Sequence, residues 1–147
     1  MEKPTIYLVQ SGLGKTYFCQ HNPGWADCDV GWLWVIRFWC DKAVYHYIDS
    51  CIKDGYKIVT SADPDTCLAV LRNPNYNVVL IRADKDMREE LLTRVKERND
   101  DRWGNEYPMN IDWWMEFYNQ LDCPQILLHK GQYLSDILNP DGSLKER

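Results

Sequence analysis

The chain has 147 residues, 17 basic and 22 acidic, for a net charge of −5, and 45% of it is apolar. That length predicts one domain with enough chain to bury a core unaided, and the apolar content excludes a disordered polymer. No apolar run reaches the ~18–20 residues of a membrane span, the opening Met1-Glu2-Lys3-Pro4 carries no apolar secretory stretch, and the negative balance leaves nucleic acid a possible but unfavoured partner. Seven tryptophans, nine tyrosines and three phenylalanines direct part of the aromatic content to a binding surface. Cys19, Cys28, Cys40, Cys51, Cys67 and Cys123 form no C-x-x-C pair and read as free thiols of a reducing cytoplasm. His21, His46 and His129 show no zinc-ligand spacing.

The elements follow in chain order. Thr5 to Val9 is an apolar, β-branched run, read as a buried strand. Gly12-Leu13-Gly14-Lys15-Thr16 follows it, then an Asn22-Pro23-Gly24 turn and a short strand over residues 26–30. Residues 32–53 read as a long helix with Trp32, Ile36, Trp39, Cys40, Ala43, Tyr47 and Cys51 on its core arc, ended by Gly55. A strand over 56–60, a helix over 64–71 and a strand over 77–81 come next. The helix over 84–98 has acids early and bases late, as the macrodipole favours, and a core stripe of Met87, Leu91 and Val95. Residues 99–108 read as a polar loop. Asn110 caps a helix with the stripe Ile111, Trp114, Tyr118 and Leu121. A strand over 125–129 and a short helix over 133–138 complete the set, and residues 139–147 read as a frayed polar tail. Strands alternating with helices predict an α/β fold: a mainly parallel five-stranded sheet with helices on both faces, whose ligands sit at the carboxyl ends of the strands.

Residues 9–16, Val9-Gln10-Ser11-Gly12-Leu13-Gly14-Lys15-Thr16, match the last three positions of the phosphate-loop pattern G-x-x-x-x-G-K-[ST], with Val9 in place of the first glycine. Gly12 and Gly14 allow backbone N–H groups to close around an oxyanion, Lys15 reaches phosphate oxygens, and Thr16 ligates Mg²⁺. With this loop, Asp27-Cys28-Asp29, Thr60-Ser61, Arg94 to Arg98 and Lys130-Gly131-Gln132-Tyr133 in that order, the chain resembles the P-loop nucleoside and nucleotide kinases, most closely their compact phage-type members. The resemblance spans roughly Thr5 to Leu138. It implies a P-loop NTPase-type three-layer sandwich, a single domain over 1–138 with a short lid around 94–106, ATP and Mg²⁺ as cofactors, and a nucleotide substrate. It also implies a cytoplasmic site of action, that of the host if a phage encodes the chain. Ser11 to Thr16 and Tyr17 would then contact ATP.

Asp27 and Asp29, two apart, face the same way in an extended chain. The resemblance gives an acid here the acceptor, with Asp29, nearer the next helix, favoured; the plain alternative is a solvated acidic loop. Trp34, Phe38 and Tyr45 lie off the core arc beside Arg37, a face suited to stacking on a base and gripping its phosphate, and equally to a covering helix or a dimer partner. Arg98 lies close to the line of the core stripe and Arg94 to one side of it; the resemblance makes them lid arginines that neutralise the transferring phosphoryl group, with Gly104 as hinge, against an ordinary basic helix end. Asp63 could meet Mg²⁺ as a strand-end acid, or start a helix with Pro64 at its first position.

The expected activity is transfer of the ATP γ-phosphoryl group to a nucleoside monophosphate. Transfer to a hydroxyl of a nucleoside or nucleic acid is the alternative within kinases, and a nucleotide-binding regulatory module without turnover is the alternative outside them. Monomer and homodimer both remain open.

Overall fold

A computed structural model describes residues 3–28, 41–97 and 101–145, with the side chains of 101–109 excepted. Its strands are β1 (Thr5–Val9), β2 (Trp25–Asp27), β3 (Lys57–Ser61), β4 (Asn77–Ala83) and β5 (Gln125–Leu128). They form one sheet in the order β2-β3-β1-β4-β5, and every pairing is parallel. The helices are α1 (Lys15–His21), α2 (Asp41–Lys53), α3 (Pro64–Leu71), α4 (Arg88–Glu97), α5 (Asp101–Asn119) and α6 (Leu134–Ile137), with a 3₁₀ turn over Lys85–Met87 leading into α4. This is the expected α/β architecture. No helix among the described residues is long and apolar enough to cross a membrane.

Strand alternation divides the core in two, because successive side chains leave opposite faces of a sheet. Val9, Val59 and Ile81 pack on one face with Phe18 of α1, Leu91 and Val95 of α4 and Leu134 and Ile137 of α6. Ile6, Leu8, Ile58 and Leu80 pack on the other with Val44 and Ile48 of α2 and Cys67 and Val70 of α3. Helix α5 serves both clusters: Ile111 is buried in the first, Tyr118 in the second, and Trp114 and Met115 touch each. The stripes Met87-Leu91-Val95 and Ile111-Trp114-Tyr118 are therefore core, as their spacing predicts.

Several expectations change. Asp101 to Pro108, read as part of a polar loop, has helical backbone as the first part of α5. An internal proline costs a helix about 3 kcal/mol, and the long amphipathic continuation through Ile111 and Tyr118 outweighs that local preference. The buried centre of α2 is Val44 and Ile48, about one residue round from the expected arc. Tyr45, expected on the aromatic ligand face, instead donates its hydroxyl to the Ala69 carbonyl and packs edge-on to Tyr76 at 5.9 Å. Strand β4 runs two residues further than expected and carries a buried arginine, Arg82, on its end.

The tail is not frayed. Leu138 bridges Leu144, and the turn between them is closed by Asn139 N–H to the Ser143 carbonyl at 2.8 Å. Half-buried Tyr7 and buried Trp25 tie it to the start of the sheet: Tyr7 Oη donates to the Gly142 carbonyl at 3.0 Å and Trp25 Nε1 to the Pro140 carbonyl at 2.8 Å. A composition-based reading misses this because the bonds use tail carbonyls, which every sequence supplies. Replacement Tyr7→Phe removes one such bond, worth about 1 kcal/mol. The expected fall in Tm is about 3–4 °C, measured by calorimetry, and a chain truncated after Leu138 should fall further; a frayed tail would leave both unchanged.

Candidate functional site

The loop between β1 and α1 leaves the middle of the sheet at its carboxyl edge. Val9, which stands where the phosphate-loop pattern has its first glycine, is a fully buried strand residue paired with Ser61 on one side and Ile81 on the other. Its carbonyl accepts from Ala62 N–H at 3.2 Å. A glycine there would remove core packing, so the departure from the pattern belongs to the sheet. Gln10 then locks the loop base to β4: its N–H donates to the Ile81 carbonyl at 3.0 Å, and its side-chain oxygen accepts from Ala83 N–H at 2.8 Å.

Gly12 and Gly14 have φ of +94° and +85°, the left-handed region in which a Cβ is strained. Space is short as well. A Cβ on Gly12 would stand 3.0 Å from Leu91 Cδ2, and one on Gly14 would stand 3.1 Å from the Tyr133 ring. Between them Leu13 is fully buried, and its carbonyl accepts from Leu134 N–H at 2.7 Å. The loop is thus gripped by α4 on one side and the β5–α6 connection on the other.

Arg94 completes the grip. Its Nη1 donates to the Gly12 carbonyl at 3.1 Å, its guanidinium lies 3.7 Å from the centre of the Tyr133 ring, and Nη2 pairs with Glu90 one turn earlier. Glu90 in turn accepts from Gly131 N–H at 3.0 and 3.1 Å. Arginine at 94 therefore points over the protein onto the glycine loop, as its position near the core stripe suggests. Arg98 lies outside the described residues, as do Asp29, Trp34, Arg37 and Phe38.

Lys15 opens α1 and reaches across to the end of β2. Its Nζ sits 2.7 and 2.8 Å from the two carboxylate oxygens of Asp27, with side chains 12% and 23% exposed. Asp27, one of the two acids singled out in the sequence, is thus brought against the loop lysine. Thr16 is exposed on the first turn of α1, and Tyr17, also exposed, stacks on His21 at 4.0 Å. Ser11 is half-buried in the loop. Asp63 does the work of a helix cap. It accepts from Thr66 N–H at 3.2 Å and from the hydroxyls of Ser61 and Thr66 at 2.6 and 2.7 Å, with Pro64 at the first helical position. The helix-start reading of Asp63-Pro64 describes this segment.

One group nearby went unnoticed in the sequence. Arg82 donates Nη1 to Asn119 Oδ1 at 2.6 Å and lies 5.5 Å from the Tyr118 ring centre; burial lowers its pKa, opposed by Tyr118 and Asp84. Its cue was slight, a lone arginine ending an apolar run. Cys19, Cys28, Cys51, Cys67 and Cys123 are free thiols, as expected. Burial pushes Cys19 up to about 11, with Asp27 adding to the shift and Lys15 opposing it. Burial first, then Cys51, raises Cys28 further.

No family model matches the chain, and no curated protein matches it in sequence.

Gly12→Ala should destabilise the fold by about 1–2 kcal/mol from backbone strain alone, more with the Leu91 contact, read as a lower urea midpoint. In the native protein at pH 8, iodoacetamide should leave Cys28 and Cys67 unmodified and alkylate Cys19 slowly, as mapped by peptide mass spectrometry; rapid labelling of Cys28 would contradict its burial.

Proposed function

We propose that the chain binds a nucleoside triphosphate at the loop from Val9 to Thr16 and transfers its terminal phosphoryl group to a nucleotide. The observation that carries this reading is the convergence at the carboxyl edge of the central strand. Two left-handed glycines, the Lys15 ammonium and the Asp27 carboxylate meet there, the last two 2.7 Å apart. The sheet order, with β1 central and its helix crossing to the far edge strand, accords with a P-loop NTPase-type fold.

The residues present suit a triphosphate. The left-handed glycines give the loop the backbone shape in which successive N–H groups can turn toward anionic oxygens. Lys15, held at the loop mouth by Asp27, is shared with those oxygens as a point charge. Thr16, exposed on the first turn of α1, would hold Mg²⁺ together with phosphate oxygens; the ion supplies charge neutralisation at the β- and γ-phosphates. Asp63 is committed to capping α3 and is not assigned to the metal.

In the transfer, an acceptor oxygen forms a bond to the γ-phosphorus as the bond to the β,γ-bridging oxygen breaks, and the diphosphate leaves with that oxygen. A phosphate acceptor is already anionic and needs no base. That suits Asp27, both of whose oxygens bind Lys15: its part is to position the ammonium. Arg94 keeps the loop in its open-handed shape through the Gly12 carbonyl.

The test is ATP consumption with separate panels of nucleoside monophosphates and nucleosides. Turnover with monophosphates, reduced about 10²–10³-fold in kcat/KM by Lys15→Ala, is the expected result. Turnover with nucleosides alone would move the acceptor to a hydroxyl. ATP binding without turnover on either panel would leave a regulatory module, and equal turnover by Lys15→Ala would overturn the assignment.

A further inference from the structure

The carboxyl ends of β4 and β5 bring together three side chains that the glycine loop does not use. Ala83 and Leu128 are register partners, so Asp84 and His129 leave the sheet side by side. Each is pinned. Asp84 N–H donates to the Leu128 carbonyl at 2.8 Å, and Asp84 Oδ1 accepts from Lys85 N–H at 2.8 Å. His129 N–H donates to Gln132 Oε1 at 2.7 Å. Asp86, on the 3₁₀ turn, brings a second carboxylate to the same place. His129 Nδ1 lies 3.5 Å from Asp84 Oδ2 and 3.7 Å from Asp86 Oδ2, and one ligand atom from each of the three residues lies within 4.8 Å of the others.

Those separations are too long for N–H to oxygen hydrogen bonds, which close to about 2.7–3.2 Å. They approach the ~3.0–3.4 Å that separates two donor atoms each about 2.1 Å from a shared ion. Among the described residues no lysine or arginine forms an ion pair with either carboxylate, although Arg82 lies within electrostatic reach of Asp84, and the two acids meet at the His129 imidazole. The three side chains are 44%, 32% and 41% exposed for His129, Asp84 and Asp86, which leaves further coordination positions open to water.

We propose that Asp84, Asp86 and His129 form a site for one divalent transition-metal cation of the Mn²⁺ and Zn²⁺ class. Two carboxylate oxygens suit Mn²⁺, an imidazole nitrogen suits Zn²⁺, and Mg²⁺ and Ca²⁺ favour all-oxygen sets. Three protein ligands make an open site, with water completing the shell. The sequence hides it because the two acids follow β4 and the histidine follows β5, some forty residues on; only the β4–β5 register joins them.

The site does not depend on nucleotide binding, and its test uses none. The full chain is titrated with Mn²⁺, which competes poorly for the free thiols, and bound ion is counted by electron paramagnetic resonance. One Mn²⁺ per chain is expected, with affinity reduced about tenfold or more in Asp86→Asn and again in His129→Ala, while Lys15→Ala and Thr16→Ala bind as the parent does. These variants replace partly exposed side chains, and circular dichroism verifies their folding. Co²⁺ should give the weak visible spectrum of nitrogen and oxygen ligands. Mn²⁺ bound equally by the Asp86→Asn/His129→Ala double variant, no Mn²⁺ bound by the parent, or an intense thiolate-to-cobalt band would each overturn the proposal.

Discussion

Every element takes its place from β1. It is bonded along both edges, to β3 and to β4, and its two faces supply residues to both core clusters. Buried backbone groups need partners, and a strand this enclosed finds them only in neighbouring strands. That requirement fixes where the chain leaves the sheet, and so where the glycine loop stands. Val9 shows the consequence in one residue: it is apolar and buried because it still belongs to the sheet, and the loop begins after it.

Beyond β1 the loop is held by contacts from two later parts of the chain. Leu91 and Arg94 press on Gly12, Tyr133 on Gly14, and Leu134 hydrogen-bonds Leu13. Two glycines are thus needed for two reasons at once, a backbone conformation and a lack of room. Arg94 is tied into the same assembly through Glu90 and Gly131. Support from both sides lowers the ordering cost of the triphosphate binding proposed above.

Much of this was legible in the sequence where a short period or a local motif carried it. The strands, the Met87-Leu91-Val95 stripe and the Gly12-Leu13-Gly14-Lys15-Thr16 loop all express themselves within a few residues. What was hidden depends on distant pairings. Asp27 meets Lys15 at the end of β2, which pairs parallel to β3 at the sheet edge. Arg82 ends a strand whose apolar run stops at Ile81, and its partners lie on α5. The polarity of residues 101–108 argued locally for a loop, and a longer amphipathic helix overrode it. The docked tail uses carbonyls, on which composition is silent.

The central position of β1 also sets the order in which the protein can assemble. Its first partner is β3, and its second, β4, comes later still; Ile6 pairs with Ile58 and Val78. During synthesis β1 therefore waits, apolar and unbonded, until Lys57–Ser61 has been made, and it keeps one open edge until Asn77–Ala83 follows. Tyr7 waits longest, because its hydroxyl bonds Gly142, 135 residues on. Such non-local closure is slow and exposes sticky surface in the interval, so the same strand that organises the finished protein is its chief hazard while it folds.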